Sequence, residues 1–335
     1  MNQHMSEGIK SWLRDIGWNE WSIETASSDA SFRSYYRLRK LHDFTIDQQS
    51  VGRETKKQEP LTCIVMDSSL MPESLPMFID ITERLLVAGV RVPYIIVKNI
   101  KKGYLILEDF GSTHYFDVLN KKNYHTLYQK AIDEIIKMQQ ADTKGLPFYD
   151  EDFLHFEMAL MQEWYLEKYL KISISKEHQD IINEALKEIA KAVLEQPQGV
   201  FVHRDFHSRN IMLPSKDKIG IIDYQDARAG AITYDLVSLL RDCYVEIDAQ
   251  EVERLALYYR DSIGLDIDDA TFIKWFDFMG LQRHIKILGI FSRLYLRDGK
   301  DGYLKDIPLT LKYILETGSK YNETKMFVSL LQSLL

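Results

Sequence analysis

The segment from His203 to Asn210 carries an aspartate, Asp205, and five residues later an asparagine, Asn210. The apolar run Ile211-Met212-Leu213 follows, and a second apolar stretch delivers Ile221-Ile222-Asp223. These residue types suit phosphoryl transfer from ATP, which concentrates negative charge and asks little covalent work of a protein. One carboxylate must orient and deprotonate the attacking hydroxyl, and Asp205, in a loop, is the candidate base. A hard cation, Mg2+, must hold the phosphates, and it prefers oxygen from a carboxylate and an amide. Asn210 opens one strand and Asp223 ends the paired one, so the two can converge on one magnesium site.

A lone Asp or Asn in a loop ordinarily belongs to a surface turn. The joint pattern carries the reading, because apolar strands flank it on both sides. HRDFHSRN matches the protein-kinase pattern H-R-D-x-x-x-x-N, with the second aspartate on the next hairpin. Protein phosphorylation itself is disfavoured. Asp223 is followed by Tyr-Gln rather than Phe-Gly, no Ala-Pro-Glu follows, and Tyr234-Asp235 arrives with no room for a long activation segment.

The elements that must position these residues can be read from periodicity. Ser6 to Gly17 has apolar residues at helical spacing. WSIET and RSYYRLRK alternate as strands around the small-residue stretch TASSDASF. His42 to Pro60 is polar and weakly patterned, a long surface loop. LTCIVM, PYIIVKNI and GYLILEDF read as strands, Glu73 to Ala88 as an amphipathic helix, and Lys101-Lys102-Gly103 as a turn. Asn123 to Gln140, His155 to Leu170 and Lys176 to Glu195 read as helices, and the chain is again helical from Tyr234 onward. The expected fold is α+β, a small antiparallel-sheet N-lobe (1–110) covering the nucleotide and a larger, mainly helical C-lobe (111–335) with the catalytic loop and acceptor site.

The 335 residues suffice for two substantial cores. A formal charge of -8 disfavours nucleic acid as a partner. Cys63 and Cys243 stand far apart without zinc-type spacing, so they read as reduced, buried thiols of a cytoplasmic protein. MNQHMSEGIKSWLRDIGW lacks the apolar core of a signal peptide, and no run is long and apolar enough to imply a membrane partner. Oligomeric state leaves no mark in the sequence.

HRDFHSRNIML and IGIIDYQDA together resemble the aminoglycoside phosphotransferase and choline kinase superfamily, whose members share the protein-kinase-like bilobal fold and phosphorylate small molecules. The resemblance implies a base role for Asp205, magnesium ligation by Asn210 and Asp223, and a loop-supporting role for Asp235 in Tyr234-Asp235-Leu236. It also implies that the loop with Ser28, Ala30, Ser31 and Phe32 covers the ATP phosphates, and that Glu108 and Phe110 lie in the hinge at the adenine. Where kinases place a phosphate-binding Lys on the third strand, this chain has Met66, so Arg33 and Arg37 become candidates for the missing charge.

A narrower resemblance runs through SDASFRSYYRL, Met66-Asp67, LEDFGS, IDYQDARAGAITYDLVSLLRDCY and MGLQRHIKILGIFSRLYLRDGK. It is to the bacterial anomeric kinases of N-acetylmuramate and N-acetylglucosamine in peptidoglycan recycling, which share the methionine. It implies a small-molecule sugar substrate, for which His207, Arg209, Arg241 and Arg283 are the candidate contacts. Two alternatives stand beside it: a kinase of the same fold acting on an aminoglycoside, choline or another hydroxyl, and a nucleotide-binding pseudokinase.

Overall fold

The computed structural model describes residues 7–18, 20–27, 33–40, 61–215 and 218–335. The polar stretch from His42 to Pro60 and residues Ser28, Ala30, Ser31 and Phe32 lie outside the described residues. The chain divides into two compact units: Met1–Glu83 with Val92–Gly111, and Arg84–Arg91 with Ser112–Leu335.

The first unit is built on five antiparallel strands: β1 (Ser22–Ser27), β2 (Ser34–Lys40), β3 (Leu61–Asp67), β4 (Ile95–Asn99) and β5 (Tyr104–Glu108). Their order is β1-β2-β3-β5-β4. Strand alternation puts Tyr36 and Leu38 on one face, opposite Val65 and Cys63, and Val65 pairs in turn with Ile106. Helix α1 (Glu7–Asp15) lays Ile9, Trp12 and Leu13 on that face, the three- and four-residue spacing of an amphipathic helix. Met66 points the other way and is fully buried between Tyr35 and Leu105. The turn at Lys101-Lys102-Gly103 closes as a 3-10 turn capped by Gly103 at φ 80°. A side chain there would sit 2.8 Å from the Ser69 backbone, so glycine is required for space as well as for backbone conformation. Helix α2 (Leu75–Val87) contains the division between the units.

The second unit is mainly helical: α3 (Tyr115–Val118), α4 (Tyr124–Met138), α5 (Glu151–Leu160), α6 (Lys176–Glu195), α7 (Tyr234–Leu240), α8 (Ala249–Ser262), α9 (Asp269–Asp298), α10 (Ile307–Gly318) and α11 (Asn322–Leu334). Helix α9 is its axis and is buried almost continuously from Phe276 to Ser292. Asp150, Ser175, Asp248 and Asp268 start α5, α6, α8 and α9 by accepting backbone N–H groups of the first turn.

His155 to Leu170 reads as one helix in the sequence, but its winding changes. Helix α5 ends at Leu160 and continues as a π-helix over Met161–Tyr169. The change begins one residue after Leu160, against which α9 packs at Gly289. A Cβ on Gly289 would lie 2.3 Å from the Leu160 carbonyl carbon, so only glycine lets the two backbones meet. Among the described residues no helix is long and apolar enough to cross a membrane.

Two short antiparallel ribbons complete the unit, β6 (Val200–Val202) with β9 (Arg228–Gly230) and β7 (Ile211–Ser215) with β8 (Lys218–Ile221). The loop from β6 to β7 carries Asp205 and Asn210, and the loop from β8 to β9 carries Asp223. Because the strands at both ends are paired, the two loops must run side by side.

Candidate active site

The two loops are tied to each other through the backbone. Ile222 donates its N–H to the Asn210 carbonyl at 3.1 Å. The His203 Nε2–H donates to the Ile222 carbonyl at 3.0 Å, and its Nδ1 accepts the Asp205 N–H at 3.3 Å. With both ring nitrogens used in the neutral form, and burial pushing its pKa down, His203 is a loop brace and not a proton carrier.

Asn210 sits at the junction. Its Nδ2 donates to the Asp205 carbonyl at 3.0 Å and to Asp223 Oδ2 at 3.2 Å. The structure therefore brings Asp205, Asn210 and Asp223 into one cluster. Asp223 occupies left-handed backbone at φ 66°, as does Arg204 at φ 80°. Such strain costs on the order of 1–3 kcal/mol per residue and persists only where surrounding bonds hold it.

Two buried carboxylates anchor the loop that carries Arg204. Asp235 accepts the N–H groups of His203 at 2.7 Å and Arg204 at 3.0 Å. Asp242 accepts the N–H of Ser208 at 2.9 Å through one oxygen and that of Tyr244 at 2.9 Å through the other. They stand at the two ends of α7, seven residues apart, about two helical turns. One clamps the start of the β6–β7 loop and the other its middle. Burial raises the Asp235 carboxyl to about 6, against the pull of His203 and the two N–H donors.

Asp205 has a half-exposed side chain, 49% accessible. Burial of its surroundings opposes the charge. Lys286, Arg283, His207 and Arg204 outweigh that and hold the carboxyl at about 2, fully ionised at neutral pH. Arg283 NH2 lies 3.7 Å from Asp205 Oδ1 and donates to Ser238 Oγ at 2.7 Å.

Behind this stands a network the sequence reading missed. Glu157, only 3% accessible, accepts from Arg204 at 2.7 Å, from the Tyr149 hydroxyl and from Gln282, and pairs with Lys286 at 3.0 Å. Lys286 also donates to the Tyr234 hydroxyl at 2.9 Å. Burial opposes ionisation of Glu157 and Lys286 alike, and each partner restores the other's charge. The signal was present in α9: Gln282, Arg283 and Lys286 are polar residues at three- and four-residue spacing inside an apolar helix.

Of the other candidate contacts, His207 lies in the loop with its ring edge on Tyr244, centroids 5.1 Å apart. The Arg209 guanidinium lies over the Tyr244 ring, its central carbon 3.6 Å from the ring centroid. Arg241, next to Asp242 in the chain, forms an ion pair with Asp277 and lies over the Phe276 ring.

In the first unit, Arg37 forks onto Asp109 at 2.7 and 3.0 Å and donates to the Gly111 carbonyl at 2.7 Å. Its charge thus ties β2 to the segment containing Glu108 and Phe110. Arg33 is buried, donating to Ser74 Oγ at 3.2 Å with Phe78 beneath it.

The donor set around Asp223 fits a hard divalent cation. Asp223 faces no cation within ion-pair distance among the described residues, and burial and Asp205 push its carboxyl up, as expected for a site short of positive charge. Gln225 donates to Asp223 Oδ1 at 2.9 Å, while its own Oε1 is buried without a partner. Oxygen donors in a carboxylate-poor cluster suit Mg2+, which takes one or two protein carboxylates and completes its shell from phosphates and water.

An α+β frame with a carboxylate loop braced beside an amide and a second carboxylate is that of a protein-kinase-like small-molecule phosphotransferase. The model of the phosphotransferase enzyme family matches residues 22–270, and the chain belongs to that family. It is 35% identical to an N-acetylmuramate/N-acetylglucosamine kinase of Pseudomonas aeruginosa over 95% of this chain and 91% of the relative. It is 32% identical to the kinase of the same description from Neisseria meningitidis, over 97% and 95% respectively. Among solved structures, ADP-bound aminoglycoside phosphotransferase APH(2'')-Ib aligns with a TM-score of 0.62 at 14% identity, covering 93% of this chain and 99% of that one. Choline kinase LicA from Streptococcus pneumoniae aligns with a TM-score of 0.62 at 15% identity, covering 94% and 100%. These structural likenesses concern the fold.

Proposed function

We propose that this enzyme is an ATP-dependent sugar kinase that phosphorylates N-acetylmuramate and N-acetylglucosamine on the anomeric hydroxyl. The observation that carries the sugar assignment is similarity over nearly the whole chain to kinases described by those two substrates. The site chemistry supports the reaction class. Asp205, kept ionised by the cations behind it, orients the sugar hydroxyl and takes its proton as the oxygen attacks the γ-phosphate. Arg283 holds that carboxylate in place, leaving one side of it open to the acceptor.

Asn210 and Asp223 are the residues that would hold Mg2+. When bound, the cation neutralises charge on the transferring phosphoryl group. Ser28, Ala30, Ser31 and Phe32 are proposed to cover the phosphates, with Arg33 next to them in sequence, and Glu108 and Phe110 to border the adenine. Met66, buried and uncharged, offers no ammonium at the position kinases use for one. His207, Arg209 and Arg283 are the proposed acceptor contacts. Two free, buried cysteines and a need for ATP fit a cytoplasmic enzyme.

The test is an ADP-release assay with N-acetylmuramate, N-acetylglucosamine, kanamycin and choline as separate acceptors, followed by phosphorus NMR. The reading expects turnover with the two amino sugars and an acid-labile anomeric phosphate. A product phosphorylated at C6, or turnover confined to kanamycin or choline, contradicts it.

A further inference from the structure

We infer that Arg209 reads a carboxylate on the acceptor, and so separates a carboxylated amino sugar from an uncharged one. The inference deepens the sugar-kinase reading and rests on it. N-acetylmuramate carries a lactyl carboxylate that N-acetylglucosamine lacks, so one enzyme accepting both must meet an anion in one case and no charge in the other.

The arginines near the catalytic loop differ in their commitments. Arg204 is taken by Glu157, Arg283 by Ser238 and Asp205, and Arg228 donates to the Phe148 carbonyl. The Arg209 guanidinium makes no hydrogen bond or ion pair with any of the described residues. It lies over Tyr244 at 3.6 Å from the ring centroid and 5.0 Å from that of Phe116. Stacking leaves the in-plane N–H groups available, and these are the ones that fork onto a carboxylate. The nearby Asp306 carboxyl feels the Arg209 charge but does not pair with it.

Position ties this cation to the reacting centre. Arg209 immediately precedes Asn210, and its carbonyl is fixed by the His114 ring at 2.7 Å. Tyr244 beneath it has its backbone N–H held by Asp242 and packs edge-to-face with the ring of His207, whose own backbone N–H donates to the Asp205 carbonyl at 3.1 Å. Asp205, His207, Tyr244 and Arg209 thus form one continuous wall. An arginine already stacked loses less freedom on binding than a mobile one, which favours a bidentate contact.

The experiment compares kcat/KM for N-acetylmuramate and N-acetylglucosamine in the full-length enzyme, its Arg209→Gln variant and its Arg209→Lys variant. Arg209→Gln is expected to lower the ratio of the two kcat/KM values about 10- to 100-fold, the loss typical of a charge-assisted hydrogen bond. Arg209→Lys, which keeps the charge without the fork, is expected to restore part of it and supplies the reading should the Gln variant fail to fold. An unchanged ratio overturns the inference, and a raised KM for ATP alongside it moves Arg209 to the donor phosphates. Wild-type enzyme inactive on both sugars would sink the underlying reading, and this inference with it.

Discussion

The Asp242 carboxylate accepts the backbone N–H of Ser208 at 2.9 Å, fixing the middle of the β6–β7 loop from a residue 34 positions away. Both groups are buried, so neither has water to fall back on. Asp242→Ala would leave the Ser208 and Tyr244 N–H groups without an acceptor, at about 1–3 kcal/mol each. The expected result is a lower urea midpoint and a fall in kcat larger than the change in KM. Asp242→Asn, which keeps one acceptor oxygen, should lie between. An Ala variant with wild-type kcat would show that the clamp is dispensable.

Glu157 is the single carboxylate between Arg204 and Lys286. Glu157→Gln leaves the buried Lys286 and the partly buried Arg204 without this counter-charge and is expected to cost about 3–5 kcal/mol by urea unfolding. Lys286→Met in the same chain removes one of those cations. The double variant should therefore be more stable than the sum of the single losses by over about 1 kcal/mol. Strict additivity would mean that the two residues act independently.

Stability should depend on pH through His284. Its ring is buried, Nε2 donates to the Arg241 carbonyl at 2.9 Å, and burial followed by the charges of Arg283 and Arg241 pushes its pKa from 6.5 to about 3. Between those values the unfolded chain binds a proton that the folded ring refuses, so stability is lost as pH falls below 6.5. His203 and His207, also pushed down by burial, act with the same sign. Going from pH 7 to pH 5 should cost about 2 kcal/mol from His284 alone. Urea unfolding at both pH values checks this, with His284→Gln expected to flatten the dependence. An equally steep dependence in the variant rules His284 out as its source.

The parts of the site legible in the sequence are those whose partners lie within one loop or one hairpin. Asp205 and Asn210 share a turn, and Asp223 is delivered by the strand paired with the one Asn210 opens, so spacing alone foretells their meeting. Asp235 was legible through its neighbours Tyr234 and Leu236. Asp242, Glu157 and Lys286 were not, because their roles exist only through distant partners. Glu157 in EDFLHFEMAL looks like any helical acid until folding buries it against Arg204, 47 residues on. The same limit hid the pairing of Arg37 with Asp109. The π-helix after Leu160 has no mark in the 3.6-residue period of its sequence, since the change accompanies contact with Gly289 on another helix.

The account stands on Asp205 as the group that takes the acceptor's proton, and Asp205→Asn tests it most directly. Turnover should be measured by ADP release with N-acetylmuramate at saturating ATP and Mg2+, beside the urea midpoint of the same sample. The account predicts a fall in kcat of about 10²- to 10⁴-fold with the midpoint little changed. A variant that folds and retains kcat within about tenfold of wild type would contradict it.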